Sequence, residues 1–381
     1  MIIDFVGGRR EFPTLLERTY FASQCLGAFP RAMLEDVRAY ERSLALRARV
    51  LSEWVARFEE MHTLGERLVE APAGSIFLRD SATAAQASIA AAIEPEPGRK
   101  RVLVASGDFH SSRYLWHAQA KRGFEVVEVA SNDEAHGESQ PFLDAIDERV
   151  RVVALSLVSP RTGALLDARP IVDAAHRAGA LVVLDVFQAV GIVPVRVEEL
   201  GADVLVGGYY KWVGGGGTGL AFGYVAPALS AKLEPIYPGW LAHRDLLGFS
   251  ERFEAAKAAT KFQQGMPAME PIYTSRAGIR WVLEAGIDRI RARSLALTER
   301  MIHRAVARGL SLRTPREPEK RGGMVCFRVP DADAERIMGA LEQQGIDIDH
   351  RPGAGLRVGP HVCATEEECD RVVDALAEHR S

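Results

Sequence analysis

Short, almost wholly apolar runs alternate with helix-period stretches through the middle of this 381-residue chain. The runs are Ser75-Ile-Phe-Leu, Arg101-Val-Leu-Val-Ala, Phe124-Glu-Val-Val-Glu-Val, Val150-Arg-Val-Val-Ala-Leu-Ser-Leu, Leu181-Val-Val-Leu, Val204-Leu-Val and Gly219-Leu-Ala-Phe-Gly-Tyr-Val. Helical patterns lie between most of them, as at Ala82 to Ala92, Ser112 to Gly123 and Ala168 to Ala178. Strands that are apolar on both faces must be covered on both faces. The alternation therefore predicts an α/β fold, with a mostly parallel seven-stranded sheet between helices.

Flanking this region, residues 30–70 repeat apolar side chains at three- and four-residue spacing behind Pro30, through Leu34, Val37, Leu44, Leu51, Trp54 and Phe58, which predicts helix. From about residue 270 the texture changes. A long helical pattern runs from Pro271 through Arg293 towards Arg308. It is followed by a strand-like Gly323-Met-Val-Cys-Phe-Arg-Val, a helix at Asp331 to Gly345, a short strand at Ile346 to Asp349 and a helix at Thr365 to His379. The expected organisation is an N-terminal segment, 1–45, joining a small α+β domain at 271–381, with a large domain at 46–270 between them.

Composition narrows the function classes. The net charge of -4 provides no basic field for nucleic acid. No run of 18 apolar residues exists to span a membrane, and the start of the chain lacks the pattern of a signal peptide. Cys25, Cys326, Cys363 and Cys369 have neither metal-ligand nor disulfide-framework spacing. The scattered histidines form no His-Glu-x-x-His pattern, so no metal site is expected. These features fit reduced thiols and a cytoplasmic protein.

Chemistry-bearing residues collect at the ends of the apolar runs. Lys211 stands in Gly207-Gly-Tyr-Tyr-Lys-Trp-Val-Gly-Gly-Gly-Gly217, after Ala202-Asp-Val-Leu-Val-Gly. By itself it reads equally as a surface lysine in a Gly-rich loop. Asp185 ends another run, Ala180-Leu-Val-Val-Leu-Asp, with Gln188 three residues on. A buried carboxylate needs a cationic partner, and a protonated pyridine ring would be one; the plain alternative is an N-cap. Asp80-Ser-Ala-Thr-Ala-Ala-Gln opens a helix after a strand, so Ala82 and Thr83 could meet a phosphate at a helix N-terminus, or the segment could be a simple cap. Phe109, in Gly107-Asp-Phe-His, could stack on a ring or belong to the core. Arg357 could hold a carboxylate bidentately or be structural. Together and in this order, these residues make a kit for pyridoxal 5'-phosphate (PLP). A lysine forms the Schiff base, a carboxylate keeps the ring nitrogen protonated, and an arginine takes the substrate carboxylate.

Further segments carry a family resemblance. Tyr20-Phe-Ala-Ser-Gln-Cys-Leu-Gly-Ala-Phe-Pro30 is similar to Tyr-Leu-Asp-Gly-Asn-Ser-Leu-Gly, and Asp108-Phe-His-Ser-Ser-Arg-Tyr114 to Asp-Phe-Pro-x-Asp-x-Tyr. Ser159-Pro-Arg-Thr-Gly163 stands for Asn-Tyr-x-Thr-Gly, and Tyr210-Lys-Trp212 for Tyr-Lys-Tyr. Gly239-Trp240, Phe262-Gln-Gln-Gly-Met-Pro267 and Gly355-Leu-Arg-Val-Gly-Pro360 resemble Gly-Trp, Phe-x-x-Gly-Thr-Pro and Gly-Ile-Arg-Val-Ala-Pro. Over nearly its whole length the chain resembles the fold-type I, class V PLP enzymes, and most closely the kynureninases.

The resemblance implies the type I PLP-dependent transferase fold. It implies that Lys211 carries PLP, that Asp185 pairs with the ring nitrogen and that Phe109 stacks on the ring. Ala82, Thr83 and Tyr210 would hold the phosphate, Gln188 would line the cofactor site, and Tyr210 would serve as acid or base. Trp240 and Gly265 would reach the phosphate from a second subunit, so a homodimer with shared sites is implied. Arg357 and Ser159 would meet an amino-acid substrate. Ser112, Gln188, Ser159-Pro160 and Gln24-Cys25 depart from the family pattern. They cluster around the substrate, so the resemblance constrains the cofactor more tightly than the amino acid. Residues 345–357 contain no cysteine, against desulfurase chemistry by a thiol loop. The implied reaction is hydrolytic Cβ–Cγ cleavage of L-kynurenine or a related amino acid. A class V aminotransferase, lyase or epimerase is the alternative enzyme, and a non-catalytic PLP-fold protein or a nucleotide-binding protein using Gly214 to Gly217 the alternative of another class.

Overall fold

The computed structural model describes residues 3–130 and 138–379. Seven strands form the central sheet, ordered Ile76–Arg79, Ala221–Val225, Val204–Gly208, Leu181–Asp185, Val150–Ser156, Arg101–Ala105 and Glu125–Val129. All are parallel except Ala221–Val225, which runs antiparallel to both its neighbours. Each of the seven apolar runs became a strand, and helices cover the sheet, as the alternation predicts.

The reversed strand has a local cause. Residues 209–220 contain no helix and return the chain directly beside the strand it has just left. A parallel neighbour would require a longer crossover. That return loop carries Lys211. The parallel strands all point their carboxyl ends to one edge of the sheet, which brings the segments after Arg79, Ala105, Ser156, Asp185 and Gly208 together there.

Helical stretches are more broken than their periodicity predicts. Residues 30–70 divide into Met33–Leu44 and Leu51–Leu68, separated by a 3-10 turn at Arg47–Arg49 in which Arg47 takes φ 49°. The pattern from 271 divides into Met269–Thr274, Arg276–Ala285 and Ile287–Ala307. The last break falls at Gly286, whose φ of 81° is left-handed and ends a helix at little cost.

A second apolar core joins Phe21 with Leu297, Met301, Val325, Phe327, Ile337 and Leu356. Around it stand an antiparallel sheet of Asp349–Arg351, Gly355–Val358 and Val325–Phe327, and the helices Asp331–Gln343 and Glu366–Glu378. Phe21 reaches this core because Thr19–Tyr20 pairs in parallel with Ile346–Asp347. Among the described residues, no helix is long and apolar enough to cross a membrane.

Candidate active site

A cavity of about 230 Å³ opens at the carboxyl edge of the sheet, lined by Ala82, Thr83, Phe109, Asp185, Gln188, Tyr210 and Lys211. These residues come from four separate segments, and the strand ends bring them together. A larger cavity, about 850 Å³, lies elsewhere and contains none of them.

Lys211 projects its Nζ over the Phe187 ring, 4.2 Å from the centroid, and lies 5.9 Å from that of Phe109. Burial lowers its amine from 10.5 to about 8, and Asp185 opposes that shift. Asp185 is affected in the opposite direction: burial raises its carboxyl, while the Phe187 N–H donated to Oδ1 at 2.8 Å and the charge of Lys211 partly restrain it. Among the described residues neither Asp185 nor Lys211 has an ion-pair partner within 4.0 Å. A carboxylate left so is costly unless a cation arrives.

The helix Ala82–Ala92 is capped by Ser81, whose side chain accepts from the Ala84 N–H at 3.1 Å. Its first amides, on Ala82 and Thr83, have no carbonyl partner within the helix, and both residues line the cavity. Gln86, on the same helix, lines the cavity although almost wholly buried. Phe109 stands immediately before the helix His110–Ala118 and is 44% exposed, so it is a wall of the cavity rather than core. Tyr210 packs edge-on against Phe187 at 4.9 Å, and burial raises its phenol.

Four expected residues lie outside this lining. Ser159 turns its hydroxyl to the N–H groups of Arg161 and Thr162, at 3.3 and 3.2 Å, and so closes a turn. Arg357 is nearly fully buried and pairs through Nε and Nη2 with Asp349, while Nη1 donates at 2.5 Å to the carbonyl of Pro160, which does line the cavity. Three of its five N–H groups are thereby used. Trp240 donates to the Leu246 carbonyl at 2.7 Å and stacks on Phe249. Gly265 packs against Gly239, with open space where a Cβ would be. Gln188 does line the cavity, but its amide is already engaged: Nε2 donates to the Gln24 carbonyl at 2.9 Å and Oε1 accepts from the Trp212 indole at 3.0 Å.

Sequence reasoning did not single out Phe187 or Ser156. Ser156 ends its strand opposite Asp185 and lines the cavity. Position at a strand end is the signal that could have found it. The glycines after Lys211 have a packing role: Gly214, at φ 66°, lies against the Ala28 carbonyl, where a Cβ would come to 2.4 Å. Gly217, by contrast, has open space where a Cβ would be.

The lining fits PLP. It offers an amine of lowered basicity for the aldehyde, an unpaired carboxylate for the ring nitrogen, an aromatic wall and free helix amides for the phosphate. Comparison with known proteins agrees. The chain is 27% identical over 369 residues to the uncharacterised aminotransferase YcbU of Bacillus subtilis, covering 97% of this chain and 96% of that one. It is 30% identical to a kynureninase of Deinococcus radiodurans, covering 92% and 87%, and 28% identical to isopenicillin N epimerase of Streptomyces clavuligerus, covering 92% of each. Its fold matches a cysteine desulfurase of Thermococcus onnurineus with a TM-score of 0.87 at 21% identity, covering 99% of both chains. A variant of C-DES with glycine covalently linked to its PLP cofactor matches with a TM-score of 0.89 at 17% identity, covering 97% and 99%. The model of the family "Aminotransferase class-V" matches residues 29–368, nearly the whole chain, and the protein belongs to that family of PLP-dependent enzymes.

Proposed function

We propose that this enzyme cleaves the Cβ–Cγ bond of an amino acid hydrolytically, in the manner of a kynureninase, with L-kynurenine or a close relative as substrate. The observation that carries the proposal is that Lys211 and Asp185 line one cavity, combined with the 30% identity to a kynureninase over most of both chains. PLP bound there supplies an electron sink for bonds at Cα and Cβ of an amino acid.

The chain's own groups then divide the work. An amine lowered to about 8 can take a proton from Cα near neutral pH, and Lys211 is such an amine. Asp185 favours a protonated ring nitrogen. The two unused N–H groups of Arg357 can hold a substrate carboxylate while Asp349 fixes the guanidinium plane. Tyr210 lies beside Lys211 as a second proton carrier. Water adds at the γ-carbonyl, so an acyl acid and alanine leave.

Trp240 and Gly265 we assign to the phosphate of a neighbouring subunit, in a homodimer. The segment bearing Trp240 exposes Ile236, Tyr237, Leu247, Phe249 and Phe253, an apolar set suited to a second copy.

The test is the product made from L-kynurenine by the PLP-loaded enzyme. Anthranilate and alanine in equal amounts are expected. A 2-oxo acid, or epimerised amino acid without anthranilate, would transfer the protein to the aminotransferase or epimerase reading.

A further inference from the structure

Asp108 takes no part in the chemistry assigned above, yet it is one of few carboxylates buried in the large domain, 6% exposed. It follows Ala105 at the carboxyl edge, on the loop that presents Phe109. No cation pairs with it among the described residues. Its oxygens are instead filled from two directions. Oδ2 accepts the Ser156 N–H at 3.0 Å, and Oδ1 accepts both the Ser156 hydroxyl and the Phe109 N–H, the latter at 3.2 Å. Ser156 stands in register with Asp185 on the neighbouring strand, and both line the cofactor cavity.

This arrangement fixes a property that the lining alone does not show. A serine hydroxyl has one proton and two lone pairs. When its proton goes to Asp108, only lone pairs remain for the cavity. Ser156 and Asp185 then present two acceptors side by side, which favour a ligand edge carrying protons and oppose one carrying lone pairs. Burial raises the Asp108 carboxyl to about 7, with the nearby charge of Asp185 adding to that, while the bonds from Ser156 and Phe109 hold it down. The other titratable groups lining this cavity are Lys211, Asp80 and Tyr210.

We propose that Asp108 is a positioning residue of the cofactor site: by binding the proton of the Ser156 hydroxyl it makes that hydroxyl an acceptor towards bound PLP and supports the protonated form that Asp185 also favours. The inference rests on PLP binding at Lys211 and is independent of which amino acid is the substrate. It assigns Ser156 a polarity, and it links Phe109 and Ser156 through one carboxylate.

The experiment compares Asp108→Asn, Ser156→Ala and the double variant, each as holoenzyme. An asparagine of the same shape can donate to the Ser156 oxygen, which frees the serine proton to point into the cavity. The pH midpoint of the bound cofactor's absorbance should fall by about 0.5 unit or more in Asp108→Asn, as the Ser156 proton turned into the cavity disfavours the protonated form. In the background of Ser156→Ala the same change should shift the midpoint by less than half as much. Thermal unfolding of each variant is recorded alongside. A lowered melting temperature with an unmoved absorbance midpoint would overturn the proposal, as would equal shifts with and without the Ser156 hydroxyl. Failure of all variants, wild type included, to take up PLP would instead refute the cofactor assignment.

Discussion

At Lys211 the chain holds a primary amine among Phe187, Phe109 and Tyr210, and burial there lowers its basicity. Capture of an aldehyde requires the neutral amine. With a midpoint near 8 in place of the ordinary 10.5, the neutral fraction rises as pH passes through 8. The rate at which apo-enzyme takes up PLP, followed by the growth of its near-ultraviolet to visible band, should therefore be half-maximal near pH 8. A rate still climbing in proportion to hydroxide up to pH 10 would contradict this environment. Lys211→Ala should remove the band altogether. Lys211 and Asp185 were legible in the sequence because each follows an unmistakable apolar strand. Arg357 was legible as an arginine of the right kind, but its partnership with Asp349 depends on the pairing of two short strands, Asp349–Arg351 and Gly355–Val358. Ser159 is ambiguous for a related reason: a hydroxyl near a strand end serves a turn or a ligand equally well, and here it accepts from two backbone amides.

Elements follow their local chemistry closely where caps are present. Ser81 closes the N-terminus of Ala82–Ala92 and leaves the next amides for an anion. Ser81→Ala should lower stability by about 1 kcal/mol, measured by chemical denaturation. It should also weaken PLP binding, because the first turn frays where the phosphate is expected; unchanged values of both would remove the cap from the argument. The apolar runs revealed all seven strands of the large sheet, yet not their order. Order arises from crossovers and from which faces helices cover, and apolar composition does not record it. Ala221–Val225 is as apolar as its parallel neighbours, and only the helix-free loop before it betrays its reversal. Helix ends were harder to place, because a glycine such as Gly286 is tolerated inside a helical pattern and also ends one.

Across the whole molecule, the N-terminal segment ties the small sheet to the cofactor loop. Its strand Thr19–Tyr20 joins Ile346–Asp347, its Gln24 side chain donates to the Arg357 carbonyl, and the Gly27 N–H donates to the Tyr210 carbonyl at 2.7 Å. A Cβ on Gly27 would lie 1.8 Å from the Lys211 carbonyl oxygen. Gly27→Ala should therefore displace the Lys211 loop and cost on the order of 10²-fold in turnover, with far-ultraviolet circular dichroism unchanged; normal turnover would show that the loop can yield. At the same scale, Phe249→Asp should shift the sedimentation profile towards monomer and lower PLP affinity if a second copy covers this surface. Retention of both properties would remove the dimer assignment. The exposed aromatics could be read from the sequence only as apolar residues, since surface and core use the same side chains.

The tie between residues 19–27, residues 346–359 and the Lys211 loop also orders events in time. During synthesis all seven strands of the large sheet have emerged well before residue 346, so most of that layer can assemble early. The partners of the N-terminal segment in the small domain, Ile346–Asp347 and Arg357, do not yet exist at that stage. Until they emerge, Gly27 has no anchored approach to Tyr210, and the lysine loop lacks its outer brace. A chain cut short before its last strands would carry the lysine loop without the brace that residues 346–359 give the N-terminal segment.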